Sequence, residues 1–514
     1  MTTNRTRNSI RNSVTALFGQ AVTIILNFIV RTIFIKTLGI AYLGINGLFT
    51  NILSVLSFAE VGFGTAIIYA MYAPLACRDE VKVSKLMNYY AKVYEIIGAF
   101  IFILGLVLIP FLSFFINDLS QLPQELPPLW IVYLLYLFNT SLSYFFNYKR
   151  SLLIASQNGH LDSLNQLYIN IVKGVLQIVT LLVFHSFLIF LIIQILCTFL
   201  GNYLISRKAD KLFPYLAVHK EKKIDKKDKD DLRKNVFAMA FSKLGSVVIT
   251  GVDDLLISKF VGIIAMGIYS NYLLLTNTIR IVFIQMLLPI TASVGNYVAE
   301  KTEDESHSFF KKLFFINAYF AICCFIALST LVNPFIYLVW GKEYVFSALI
   351  TFLITFNFYL DRMRTTSQIF IDAKGLFRPI KWKSLFEAVI NLSFSFYFIL
   401  VSKWGIESVI VATMISNIST NIWWEPYVVF KYGFKRNVST YYLAIIKYTA
   451  ALAIAYLITR YVQSFFSVRF GGFVAKGAVS VIIPNIILFV LFKNTVEFKY
   501  FKNLIQNIMN KKLW

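Results

Sequence analysis

Residues 27–45 read NFIVRTIFIKTLGIAYLGI, an apolar run with an arginine at position 31 and glycines at 39 and 44. A stretch this apolar has the length of a bilayer crossing, which takes about 20 mostly apolar residues per helix. The same character fills the chain: of 514 residues 58% are hydrophobic, 15% are charged, and mean hydropathy is +0.68. Soluble domains average about 45–50% apolar residues. The charges gather between apolar blocks, and the blocks are long and unbroken, unlike the short alternating segments of a membrane barrel. The expected fold is an all-α polytopic membrane protein.

Working outward, the apolar blocks predict about fourteen transmembrane helices. Helices one to six fall within residues 1–206 and helices seven to twelve within 235–436, with a cytoplasmic loop at 207–234. Residues 437–514 supply two further helices and an amphipathic tail expected along the inner membrane surface. With the N-terminus inside, about 34 of the 49 Lys and Arg lie in cytoplasmic segments, about 7 outside and about 8 within spans. Loop 117–128, NDLSQLPQELPP, has neither Lys nor Arg. One missed span would invert every later loop, so both termini are expected in the cytoplasm of a bacterial cell membrane. The basic residues 1–12 lead into a full-length span with no short apolar core and cleavage site, which predicts a retained first helix.

The net charge of +23 follows from this loop bias and does not call for a nucleic-acid partner, since loop 207–234 mixes both signs. Cys77, Cys197, Cys323 and Cys324 have no disulfide or metal spacing. There is no phosphate-binding loop, nucleophile elbow or dinucleotide fingerprint, and the four histidines lie near loops. These absences point away from an enzyme, and neither a metal nor a cofactor is expected.

An internal repeat organises the chain. Residues 36–45 and 259–268 both read K-x-x-G-I-x-x-x-G-I, at the hairpin between the first and second helices of each half. The same offset carries Gln20, Asn27 and Arg31 onto Lys243, Thr250 and Asp254. At 100° per residue each trio lies within about 40° of arc and forms one stripe. Six helices per half give both halves the same orientation, so the repeats are parallel around an axis along the membrane normal.

Arg31 has two readings. It lines a cavity shared by the two halves, where Asp254 on the other half would approach it when the outer mouth closes. Alternatively it snorkels toward headgroups beside Lys36. Further charges inside spans are Glu60, Lys92, Glu95, Lys173, Lys243, Asp253, Arg280, Asp361, Arg362, Arg364, Glu387 and Lys447. Arg280, Arg362, Arg364 and Lys243 are the candidate contacts to a cargo, because cations exceed acids and a positive cavity suits an anion. Glu60, Asp253 and Asp254 are candidates for proton or sodium coupling, or simply partners of nearby cations.

Segments 38–76, 373–400 (AKGLFRPIKWKSLFEAVINLSFSFYFIL) and 421–434 (NIWWEPYVVFKYGF) resemble bacterial polysaccharide flippases. These belong to the superfamily that includes the lipid II flippase and the multidrug and toxin extrusion transporters. The resemblance implies two six-helix lobes around a cationic cavity. It implies movement of an undecaprenyl-diphosphate-linked oligosaccharide to the outer leaflet, for capsule, O-antigen, exopolysaccharide or teichoic-acid assembly. It further implies contact with membrane lipid, a polysaccharide polymerase downstream and action as a monomer. A cation-coupled multidrug exporter and a lipid II flippase are the alternatives. The first helix lacks the acid that many extrusion transporters use for coupling, which weighs against the exporter.

Overall fold

The computed structural model describes residues 2–509, apart from 61, 62, 117, 221, 227, 231, 235 and 237–250. Helices make up nearly all of the described chain, with no strand among them, and the protein is an all-α polytopic membrane protein. Nine helices among the described residues are long and apolar enough to cross a membrane. The chain divides into two compact units, Met1–Gly267 and Ile268–Trp514.

The first unit contains α1 (Thr2–Leu38), α2 (Ile40–Leu56), α3 (Phe63–Ala76), α4 (Glu80–Leu108), α5 (Leu129–Ala155), α6 (Gly159–Val183) and α7 (Phe187–Leu212). Here α1 lies along α6, and α5 packs against both α4 and α7. Aromatic edges join the helices: Phe34 meets Phe187 and Phe190, and Phe49 meets Tyr133. The start of α4 is fixed by Asp79, whose carboxylate accepts the Lys82 amide at 2.9 Å. The basic loop docks on this same end. Lys82 and Lys85 pair with Asp228 and Asp225 at 3.1 and 3.0 Å, and the Asn88 amide donates to the carbonyls of His219 and Lys222. The mixture of signs in the loop thus has a structural use, since its acids meet the lysines of α4.

The repeated hairpins face each other inside this unit. Gly39 has φ 91° and ψ 175°, and Gly262 has φ 127° and ψ 161°, a region that residues with a Cβ almost never occupy. Five residues on, a Cβ at Gly44 would collide with the Ile263 carbonyl, and one at Gly267 would sit 2.6 Å from the Ile40 carbonyl. The contact is reciprocal: equivalent glycines meet equivalent isoleucines. Helix α8 (Ile263–Glu300) begins at this contact and continues into the second unit.

The second unit is built around α9 (Glu303–Val339), which opens with a capping box between Thr302 and Glu305. Around α9 stand α10 (Ala348–Met363), α11 (Thr365–Lys374), α15 (Ser439–Gln463), α16 (Phe470–Phe492) and the tail helix α17 (Val496–Met509). Also in this unit are α12 (Lys383–Leu400), α13 (Glu407–Ser416) and α14 (Ile422–Val428). Buried Phe310, Phe325, Phe370, Phe430 and Phe434 form much of the core. The tail helix lays Phe501 against Phe315, Tyr319 and Phe320, so α9 takes part of the apolar face of the amphipathic tail, while Val496 and Ile505 stay exposed.

Candidate functional site

The second unit carries a continuous ionic network. It starts at Arg280 in α8, whose guanidinium lies 3.7 Å from Asp361 at the end of α10. Asp361 also pairs with its neighbour Arg362 and lies 3.9 Å from Arg364. Arg364 stands at the junction of α10 and α11 and turns to the next helix. There its Nε donates to Glu425 at 3.0 Å while Nη2 donates to the other carboxylate oxygen, a bidentate pair. Lys383, at the start of α12, donates to the same carboxylate at 2.8 Å and to Asn421 at 2.7 Å. Glu387 closes the chain, 3.5 Å from Lys383 and accepting from the Asn421 amide at 2.6 Å. Four cations and three carboxylates meet here.

Burial separates the members. The Glu425 side chain is 3% exposed and that of Arg362 5%, whereas Arg280 is 48% exposed. A charge removed from solvent is stable only when paired and hydrogen-bonded. Glu425 achieves this with two cations, and Arg362 adds contacts with the rings of Phe283 and Phe358. Arg280 is held by a single long contact and keeps an open side. The arrangement is a buried frame with one accessible cation at its edge.

Local backbone explains how Glu425 reaches the frame. The helix that carries it is interrupted by wide π-helical turns at Asn417–Asn421 and Val429–Phe434, with Pro426 between them. Such turns rotate the following side chains and often occur at functional positions. Pro426 adds a missing amide donor to the same stretch.

Arg280, Arg362 and Arg364, expected as cargo contacts, are therefore gathered around Asp361. The Gln20, Asn27 and Arg31 stripe lies in the first unit, with Asn27 exposed and Gln20 and Arg31 half-buried. Lys243 and Thr250 lie outside the described residues. Asp253 and Asp254 are buried, and Asp254 accepts the Asn51 amide of α2 at 2.5 Å. Glu60 accepts the Tyr94 hydroxyl at 2.5 Å. Glu425, Lys383 and Asn421 are the network members that a search for charges deep inside apolar runs passes over. The signal that could have found them is the surplus of cations over acids, which demands another buried carboxylate.

No family model matches the chain, and no curated protein matches it. Solved structures do share its fold. The lipid II flippase MurJ, in an inward closed conformation, aligns at a TM-score of 0.67 with 17% identity, covering 95% of this chain and 100% of that one. An inward-facing multidrug resistance MATE family transporter of the MOP superfamily aligns at 0.64 with 12% identity, over 81% of this chain and 98% of its own. A mutant of the MATE transporter VcmN from Vibrio cholerae aligns at 0.57 with 15% identity, over 85% and 99%.

Proposed function

We propose that this protein is a flippase that moves an undecaprenyl-diphosphate-linked oligosaccharide from the inner to the outer leaflet for surface polysaccharide assembly. The observation that carries this reading is Arg280, a half-exposed guanidinium near the middle of α8, backed by a buried network in which every acid is already engaged. An added anion is what such a cation lacks. A diphosphate fits it, because guanidinium binds phosphate oxygens in a bidentate fashion. Arg31 of the first half and Lys243 of the second are proposed as further cationic contacts, while Arg362 and Arg364 hold Asp361 behind Arg280. The fold shared with a lipid II flippase supports a lipid-linked cargo.

In this mechanism two lobes alternate access, the head group travels through a cationic interior and the prenyl tail stays in lipid. Crossing hydrocarbon unaided would strand the sugar hydroxyls and about two negative charges without partners. The test is leaflet translocation of a lipid-diphosphate oligosaccharide in proteoliposomes. Arg31→Ala and Arg280→Ala are each expected to lower the rate at least about tenfold, the loss of roughly one charge-assisted contact. Variants that fold and transport at the intact rate would remove the basis of the proposal. Lipid II in the same assay separates the lipid II alternative, by which substrate moves faster.

The buried Asp253 and Asp254 support a second reading, cation-coupled export, in a fold shared with a multidrug resistance MATE family transporter. Export of a cationic dye that depends on Asp254 and on a proton or sodium gradient would favour it.

A further inference from the structure

We infer that the first unit holds a small inorganic anion, of chloride or phosphate size, in a polar cavity between α5, α6 and α7, with Lys173 as its principal ligand. The cavity has a volume of about 220 Å³, and its lining includes Arg150, Asn165, Gln166, Asn170, Lys173 and Cys197. It is separate from the ionic network of the second unit, and the inference holds whatever the cargo of the protein is.

The case rests on depth, charge and supply of donors. Lys173 lies near the centre of α6, about 15–21 Å along the helix from Gly159 and Val183 at 1.5 Å per residue. Its four-carbon stem cannot carry the ammonium over that distance to a headgroup, so the charge stays at membrane depth. Charges there are retained where they meet a partner or a water-filled site. Among the described residues no carboxylate pairs with Lys173.

The nearby acid is already engaged. Asp162, near the start of α6, pairs with Arg150 at 3.1 Å through one oxygen and accepts the Gln166 amide at 2.7 Å through the other. Arg150 and Asp162 therefore neutralise each other, and the charge of Lys173 is left uncompensated in a pocket that opens beside it. Asn170, one helical turn before Lys173, has only a 3.4 Å contact from its amide to Thr23, so its N–H groups can turn toward an occupant. An ammonium with an amide a turn away, in a cavity large enough for a hydrated ion, is a donor set for an anion and a poor one for a metal cation.

The experiment uses the whole protein in lipid nanodiscs, with sodium gluconate exchanged for chloride, bromide or phosphate at constant ionic strength. Anion binding to the folded state should raise the melting temperature by a few degrees in a saturable way. Lys173→Arg should keep that rise and Lys173→Gln should lose it. The order of potency among the salts tells halide from phosphate. No anion-dependent rise in the intact protein, or an equal rise in Lys173→Gln, overturns the assignment. Should Lys173→Gln fail to fold, crystals of the intact protein grown in bromide decide. An anomalous peak within hydrogen-bonding distance of Lys173 Nζ, in bromide or in a second crystal grown in arsenate as the stand-in for phosphate, supports the site, and its absence from both overturns it.

Discussion

Arg280 and Arg364 are the same residue type in one network and should fail in different ways. Arg280 is half-exposed and loosely held, so its loss should spare folding and lower the proposed transport. Arg364 is buried in a bidentate pair with Glu425, so its role is to keep that carboxylate and Lys383 in place. Removing one partner of a buried pair costs about 3–5 kcal/mol, because the other charge is left stranded. Glu425→Gln takes from Arg364 and Lys383 their closest carboxylate and leaves them only the longer contacts to Asp361 and Glu387, so it should lower stability by up to about that much, seen as a loss of melting temperature in nanodiscs, while Glu425→Asp recovers part of it. An unchanged melting temperature in Glu425→Gln would mean that the network contributes nothing to the fold. At this scale the sequence was partly legible. Arginines inside apolar runs stand out, and three of those singled out do meet around one aspartate. Glu425 does not stand out, because it sits beside Pro426 and shortly before Lys431, where an acid reads as the edge of a span. Pairing across helices is a tertiary fact that spacing along one helix does not encode.

Among the elements, the hairpins were legible and the wide turns were not. A glycine repeated at a fixed offset beside the same apolar neighbours announces a backbone constraint, and both first glycines indeed take a positive φ that side chains avoid. Gly39→Ala has open space around its new methyl group and should cost about 1–3 kcal/mol through backbone strain alone. Gly267→Val meets the Ile40 carbonyl as well and should cost more, enough to reduce the folded yield severely. Fluorescence-detected size exclusion of the two variants checks this order, and equal yields would contradict the close packing of the hairpins. The π-helical turns that flank Glu425 arise where one residue is accommodated within a helix by its surroundings, so no local propensity marks them. The tail helix is intermediate: its amphipathic pattern is plain, but the pattern alone does not say whether lipid or α9 takes the apolar face.

For the molecule as a whole, the all-α membrane fold was readable from composition, because the bilayer demands long apolar runs and admits few alternatives. Transport of an anion through such a fold has an electrical consequence. With about 2.3 kcal/mol per charge per 100 mV, two outward-moving negative charges gain roughly 4–5 kcal/mol from an interior-negative potential of 100 mV. Translocation in proteoliposomes should therefore accelerate when a potassium gradient with valinomycin makes the interior negative, and slow when the sign is reversed. A rate indifferent to the potential would mean that the cargo charge is compensated by a co-transported cation. The reciprocal glycine contact has a consequence of another kind. A chain in which Ile263 and Gly267 seat themselves on Ile40 and Gly44, while His219, Lys222, Asp225 and Asp228 grip α4, does not need its covalent continuity at Phe213 to find its own partner surfaces. Two separately translated polypeptides, 1–212 and 213–514, should recognise each other in the membrane and purify as one complex, with Gly267→Val in the second fragment enough to keep them strangers.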